Sequence, residues 1–485
     1  MPDEPVLIGI DIGTTAVKGA AFSPDGRCRI SKVRVYRSLE STEPGRVEQD
    51  PQSWMSGIGS ILREIDAGMP RVECLAIGLT SQVNTHVFTD AKGSPLIPAI
   101  TWQDQRCADS ADEINAQIDA PLRNSLWDRT FRADASNLLS RAHWVQRHAP
   151  EIWEATRYIF SPKDFCLFQL TGVAAADALS SVGLVDEHGA YVRPILDLVD
   201  GLAERLPPIG EVTGIVGHLD KRLPFGGVPI NLGVMDAWAA LYGSGAVHHG
   251  DAFQVAGTSE VIGVHSQHAF PAEGIVTFPP IPGWYLHAGP TQLGGDAATW
   301  LADFLGLETS RVFELAAGAR HLREPLLFLP HLMGERAPFW DAKAKGLLVG
   351  MTRQHDQSDL AYAVLEGVAF AARALLERLE QAAGVAVDSI LLSGGAARSD
   401  LWSQIKADVL NRPLVRLKNI DTGTFGAAIL AGVAQGRFSD EVEATRAAIH
   451  EDRTFEPRAT QQVRADFLYD RYIEAYSAMK GVCHK

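Results

Sequence analysis

The chain is short of positive charge. Its 485 residues carry 44 Lys plus Arg against 59 Asp plus Glu, a formal net charge of −15, and so acidic a surface argues against nucleic acid or an anionic membrane as the main partner. Cysteine is scarce and scattered. Cys28, Cys74, Cys107, Cys166 and Cys483 form no CxxC pair and have no histidine at zinc-binding spacing; their odd number leaves a disulfide framework incomplete, so reduced thiols in a cytoplasmic protein are expected. No apolar run reaches the roughly 18 residues of a membrane span, and Met1-Pro-Asp-Glu-Pro5 lacks the basic and apolar stretches of a secretory signal. Also missing are a Gly-x-x-x-x-Gly-Lys-Ser/Thr loop, a Gly-x-Gly-x-x-Gly after the first strand, a His-Glu-x-x-His helix and a Gly-x-Ser-x-Gly elbow. These absences set aside the common phosphate-loop, dinucleotide, zinc-protease and serine-hydrolase designs.

What remains is an ordinary globular balance, 46% apolar and 21% charged, in a chain too long for one core; two or three domains are expected. The stretch Val6-Leu-Ile-Gly-Ile-Asp-Ile-Gly-Thr-Thr15 reads as a buried strand that delivers the carboxylate of Asp11 and then turns at Gly13 with Thr14 and Thr15 behind it. A glycine turn lets backbone N–H groups approach an anion. A carboxylate beside a phosphate is repulsive unless a cation lies between them, so the stretch predicts a metal-bound phosphate ester. A second piece of the same kind, Phe253-Gln-Val-Ala-Gly-Thr-Ser259, supplies Gly257 and Thr258, and between the two Pro229-Ile-Asn-Leu-Gly-Val-Met-Asp236 is a strand ending on a lone aspartate before a helical run. Two Gly-Thr turns and two strand-end carboxylates suggest a nucleotide held by duplicated domains. The pattern restarts near Gly245–His249, which predicts domains over 1–245 and 246–485.

Between these landmarks, Ser53 to Ile65 has helical apolar spacing. Val72 to Leu79 is a buried strand running into the polar segment Thr80-Ser-Gln-Val-Asn-Thr-His86, and Ser358-Asp359 reads as the N-cap of a long helix from Leu360 to about Ala383. Ile390-Leu-Leu-Ser-Gly-Gly-Ala396 is a strand-to-helix turn of nucleotide-binding type. Asp236 has two readings, a catalytic carboxylate and a plain helix N-cap, since Ala237-Trp-Ala-Ala follows it. Trp102 is read equally as a ligand wall and as core.

Taken in order, Gly9-Ile-Asp11-Ile-Gly13-Thr14-Thr15, Gly233-Val-Met-Asp236, Ala256-Gly257-Thr258-Ser259, Gly334-Glu-Arg336-Ala-Pro-Phe-Trp-Asp341 and Ser393-Gly394-Gly395-Ala396-Ala-Arg-Ser399-Asp400 resemble the motifs of the FGGY carbohydrate kinases, closest in pattern to xylulokinases. The resemblance covers nearly the whole chain. It implies an α/β fold of two ribonuclease-H-like domains, of the actin and hexokinase type, around a central cleft. Sugar and catalytic acid would lie on the first domain, and ATP on the second. In that scheme Asp11 holds Mg2+ and Asp236 takes the proton of the attacking hydroxyl, also near the metal. Gly13, Thr14, Thr15, Gly257 and Thr258 receive phosphate, while Gly394, Gly395, Ala396 and Asp400 sit by the nucleoside. The sugar would be read by Gln82, Val83 and Asn84, with Trp102 and Asp104. At 83 and 84 the chain carries neither the Met-His of xylulokinases nor the Arg-Glu of glycerol kinases.

The expected reaction is ATP-dependent phosphorylation of a ketopentose such as xylulose. Another ketose or polyol, of ribulose, hexulose, glycerol or erythritol type, is the alternative acceptor. From a different class, an actin- or Hsp70-like ATPase switch would share the Gly-Thr turns but would not need the polar segment at 82–85. Many members of the family are homodimers.

Overall fold

The computed structural model describes residues 4–39, 41, 43, 45–128, 131–281, 283–320 and 325–484. It divides into two compact units, 1–243 with 278–283 and 423–449, and 244–277 with 284–422 and 450–485. The division therefore differs from a single cut at 245/246, because a segment late in the chain belongs with the first unit.

In the first unit, β1 (Val6–Ile12), β2 (Ala16–Phe22) and β3 (Cys28–Val35) form an antiparallel meander. β4 (Cys74–Ser81) runs parallel to β1, and β5 (Ile215–His218), β6 (Pro229–Asn231) and the two-residue β7 (Val234–Met235) complete the sheet, in the order β5-β6-β4-β1-β2-β3 with β7 also on β4. The second seven-stranded sheet has the strands β8 (Ala252–Ala256), β9 (Glu260–Ser266), β10 (Val276–Ile281), β11 (Trp284–Thr291), β12 (Ile390–Ser393), β13 (Leu414–Leu417) and β14 (Glu451–Phe455), in the order β10-β11-β9-β8-β12-β13-β14. Again an antiparallel set, β8-β9-β11, is extended by parallel strands, β12 and β13, beside its first member. The same topology occurs twice, which is the two-domain α/β architecture expected from the sequence.

Apart from Asp11 near its end, β1 is apolar because both its faces are covered, and all seven residues are buried. On one face Val6, Ile8, Ile10 and Ile12 pack with Trp54, Ile58, Ile61, Leu62 and Ile65 of the helix Pro51–Gly68. That helix starts where Asp50 accepts the Gln52 N–H, with Pro51 in the first turn, where its missing N–H costs nothing. On the other face Leu7, Phe22 and Ala76 pack with Phe425, Ala428 and Ile429 of the helix Thr422–Ala434. Glycines let this helix lie directly on the sheet. A Cβ at Gly9 would fall 1.8 Å from the Thr424 carbonyl oxygen, and one at Gly78 would fall 1.9 Å from that of Ala427.

The long helix of the second unit spans Gln357–Ala383, and its N-cap is Asp356, not Ser358 or Asp359. Asp356 accepts from the N–H groups of both, and Asp359 returns the bond as the third residue of a capping box. Among the described residues no helix is long and apolar enough to cross a membrane.

Candidate active site

β1 and β7 both run parallel to β4 and lie on either side of it, with Asp11 opposite Thr80, Val234 also opposite Thr80, and Met235 opposite Ser81. Asp11 and Asp236 therefore leave the carboxyl ends of strands two steps apart, about 10 Å between strand axes at the usual sheet spacing. This is the edge at which open α/β sheets bind ligands. Asp11 is buried, and Lys18, its cross-strand partner, brings Nζ to 4.0 Å of Oδ2. The lysine is 41% exposed, so the pair contributes little to stability and more to local potential. Asp236 opens the helix Asp236–Ser244, and its Oδ1 accepts the Ala237 N–H at 2.8 Å. Burial pushes its carboxyl up to about 6, against the downward pull of that N–H. The side chain is only half-buried by accessible surface, so it keeps an open edge while its surroundings disfavour the charge. Asp236 thus starts a helix and remains partly open to solvent.

The turn after β1 is braced from several sides. The Gly13 N–H donates to the Ala16 carbonyl at 3.0 Å, and the Gly13 carbonyl accepts from the Tyr36 hydroxyl. Gln49 Nε2 donates to the Thr14 carbonyl at 2.7 Å, and Trp102 Nε1 donates to Thr14 Oγ1 at 3.0 Å. Gln82 is buried and donates from Nε2 to Gln49 Oε1 at 2.9 Å. Gln82 and Trp102, read from the sequence as sugar contacts, here act on the Thr14 turn. Thr15 is exposed.

Asp104 does not present itself to a ligand. It is fully buried; its Oδ1 accepts from the Arg106 backbone N–H and Nε, and its Oδ2 from the Val47 N–H and Arg106 Nη2. With every acceptor direction filled inside the protein, Asp104 has no lone pair left for a sugar hydroxyl. Asn84 differs. It is half-buried, sits at φ 51, and donates from Nδ2 to Ser136 Oγ at 3.0 Å, while Val83 beside it is also half-exposed. An asparagine in the left-handed region at a strand end is a strained choice that functional loops favour.

In the second unit the Gly257-Thr258 turn closes the β8–β9 hairpin, with the Gly257 N–H donating to Ser259 O at 2.9 Å. The N–H groups of Gly294 and Gly295 donate to the carbonyls of Thr258 and Gly257 at 2.8 and 2.7 Å. Directly behind, the buried carboxylate of Glu260 accepts from Gln254 Nε2 and pairs with Lys406. Because β8 and β12 are parallel, with Val255 opposite Ser393, the Gly394-Gly395-Ala396 turn emerges beside the Gly-Thr turn. Gly394 has φ +89, and a Cβ there would lie 2.4 Å from the Ala256 carbonyl oxygen, so no other residue fits. Asp400, half-exposed at the start of the helix Asp400–Leu410, is held by Arg416 and Arg453.

Three residues that shape the first unit's site were not singled out from the sequence. Gln49 lies next to a helix start and gave no signal. Arg141 is fully buried and donates to the carbonyls of Asn84, Ile100, Thr101 and Ala135 and to His86 Nδ1; a lone arginine on the apolar face of Leu138, Leu139, Ala142 and Val145 was the available clue. Burial and the nearby Arg141 guanidinium hold His86 well below the usual histidine range, so it stays neutral. Ser180 was the third. It lines a cavity of about 40 Å3 with Asn84, His86, Asp164, Ser181 and Tyr191, enough for about three waters. A smaller cavity in the second unit, about 20 Å3, is lined by Leu326, His355, Asp359, Tyr362 and Arg464 and includes no motif residue.

Comparison with known proteins places this geometry. Residues 6–243 match the N-terminal domain, and residues 252–435 the C-terminal domain, of the FGGY family of carbohydrate kinases. The chain is 29% identical to xylulose kinase from Staphylococcus epidermidis, covering 98% of this chain and 96% of that one. It is 31% identical to glycerol kinase from Gloeobacter violaceus, over 94% of this chain and 93% of that one. The crystal structure of ligand-bound xylulose kinase from Lactobacillus acidophilus superposes with a TM-score of 0.89 at 25% identity, over 99% of both chains. With two like-folded units, each bringing its motif residues to the carboxyl edge of its sheet, and family matches along most of its length, the chain belongs to the FGGY family of carbohydrate kinases.

Proposed function

We propose that this kinase transfers the γ-phosphoryl group of ATP to a hydroxyl of a ketopentose of the xylulose type, with Asp236 as the general base. The observation that carries the reading is Asp236 itself, a half-open carboxylate whose value near 6 suits an acceptor of a hydroxyl proton at neutral pH. In this scheme the sugar meets the first unit around Asn84 and Val83. The nucleotide meets the turns at Gly257-Thr258 and Gly394-Gly395-Ala396, with Asp400 at their edge. In the turn that Gly13 shapes, Thr14 and Thr15 offer N–H groups and hydroxyls to the transferred phosphoryl, and the bonds from Gln49 and Trp102 keep that turn from moving as charge shifts. Phosphoryl transfer asks little more of a protein than alignment and charge neutralisation.

Mg2+ fits these residues. Among the described residues no group of three or more His, Cys, Asp or Glu side chains could hold a metal. Mg2+ ordinarily keeps several waters and leans on one or two carboxylates plus substrate phosphates. Asp11, a hard oxygen donor at the carboxyl end of β1, suits that role, and Asp236 is the second carboxylate of the same edge. When bound, Mg2+ would neutralise phosphate charge. Asp11→Asn is expected to raise the Mg2+ concentration needed for half-maximal rate by about tenfold or more, in line with the loss of a charge-assisted ligand. Magnesium titrations at saturating ATP check this, and an unchanged requirement would remove Asp11 from metal binding.

The pH profile follows from the sign of the Asp236 shift. The carboxylate is the active form, so turnover should be flat above neutrality and fall as pH drops through about 6. A limb that begins only near pH 4 would mean an ordinary exposed aspartate.

The acceptor is tested by ADP production with xylulose, ribulose, a ketohexose, glycerol and erythritol. Xylulose is expected to give the highest kcat/KM. The second reading, a polyol acceptor, is favoured by the glycerol kinases among the relatives and would be adopted if glycerol or erythritol led the series. ATP hydrolysis indifferent to all five would point to an ATPase switch instead.

A further inference from the structure

Asp236 is carried by the shortest strand of its sheet, and something outside the ladder has to hold it. β7 has two residues, pairs only with β4, and leaves the N–H of the buried Met235 to be met elsewhere. It is met by a side chain: the Met235 N–H donates to Ser180 Oγ at 3.1 Å. Ser180 stands where a neighbouring strand would otherwise supply a carbonyl.

Ser180 is itself fixed from below. Its N–H donates to Asp177 Oδ1 at 2.8 Å, and the hydroxyl of Ser181 donates to the Asp177 carbonyl at 2.8 Å. Asp177 Oδ2 lies 2.8 Å from Lys163 Nζ, which also pairs with Asp164, and Asp164 Oδ2 accepts from the Ser161 hydroxyl at 2.7 Å. All three charged side chains are buried. Burial works against the lysine charge, but the two carboxylates outweigh it and hold its pKa above the usual value. The Lys163 N–H donates to Ser81 Oγ at 3.2 Å, and Ser81 is the residue of β4 opposite Met235. The buried ion cluster is thus tied to the β4–β7 pair at two points, through Ser81 and through Ser180. A buried charged cluster breaks at high cost when one member is lost, so it makes a stiff footing.

We infer that Ser180 is a positioning residue for phosphoryl transfer, fixing the backbone immediately before Asp236 so that its carboxylate meets the acceptor hydroxyl at hydrogen-bond distance. Its hydroxyl touches neither sugar nor nucleotide in this scheme; it acts through the Met235 peptide. The inference rests on Asp236 being the general base.

The test measures kcat, KM for MgATP and melting temperature for Ser180→Ala, Ser180→Cys and Ser180→Thr beside Asp236→Asn. Displacing a reacting group by about 1 Å can cost on the order of 100-fold, so Ser180→Ala should lose about 10- to 100-fold in kcat with KM for MgATP unchanged. Ser180→Thr, which keeps the hydroxyl, should recover most of the loss at an unchanged melting temperature. Cysteine is nearly the same size and a poor acceptor, so Ser180→Cys should behave like the alanine variant and serves in its place if that one folds poorly. The inference is overturned if Ser180→Cys turns over within about twofold of the unsubstituted enzyme, or if threonine fails to restore what cysteine loses. An active Asp236→Asn would instead remove the base assignment, whereas an inactive Asp236→Asn alongside an unimpaired Ser180→Cys would remove only the role of Ser180.

Discussion

Asp236→Asn is expected to lower turnover by about 10²–10⁴-fold, the usual range for removing a general base, while MgATP binding measured by calorimetry stays near normal. The asparagine side chain keeps an oxygen that can accept the Ala237 N–H, so the start of the helix Asp236–Ser244 should survive. What it cannot do is receive a proton. The substitution should also abolish the acid limb near pH 6, leaving a residual rate independent of pH in that region. Near-normal turnover would exclude Asp236 as the base and leave its raised pKa a by-product of burial.

The largest effect on stability is expected from Gly78→Ala. A methyl group there would lie 1.9 Å from the Ala427 carbonyl oxygen and 2.6 Å from its carbon, both backbone atoms of a buried helix that cannot swing aside as a side chain would. The opposite approach is as close, because a Cβ at Gly426 would lie 1.8 Å from the Ala239 carbonyl oxygen. The helix Thr422–Ala434 is therefore confined between the sheet and the helix that Asp236 opens. Overpacking of this kind costs about 3 kcal/mol or more when backbone has to move. Thermal scans at matched rates should show Gly78→Ala melting well below the parent or failing to accumulate as folded protein. Gly481→Ala is the control. Nothing lies within 4 Å of a Cβ there, and the position is inside a helix, so a neutral or slightly stabilising change is expected. Equal melting of the two variants would show that the helix can lift off the sheet without penalty.

Much of the fold was legible because its signals are local. β1 reads as a strand from seven consecutive residues, the Gly-Thr turns from two, and the repeat of the same strand-turn unit in each half announced a duplicated α/β architecture. Partners distant in the chain were not legible. Asp104 has the right chemistry for a sugar contact, but its acceptors are consumed by Arg106, two residues on, and by Val47, far upstream. Gln82 and Trp102 announced polarity near a strand end, yet nothing in the sequence says that Gln49 stands between Gln82 and Thr14. The cap of the helix Gln357–Ala383 is hidden from the sequence for a different reason. Asp356, Ser358 and Asp359 are all good caps, and only the backbone, extended at Asp356 with φ −125, chooses among them. The arrangement around Asp236 shows both limits, since the strand-end aspartate is visible at once and its support by Ser180 is not.

That the first unit borrows residues 423–449 has a consequence for how the protein is made. While a ribosome is still elongating past residue 243, the face of the first sheet bearing Leu7, Phe22 and Ala76 has no cover, because Phe425, Ala428 and Ile429 have not been synthesised. At typical elongation rates the intervening stretch of roughly 200 residues takes about 10 to 40 seconds, so a nascent apolar surface waits in the cell for that long before its lid arrives, and a fragment ending near 245 would carry the same bare face permanently.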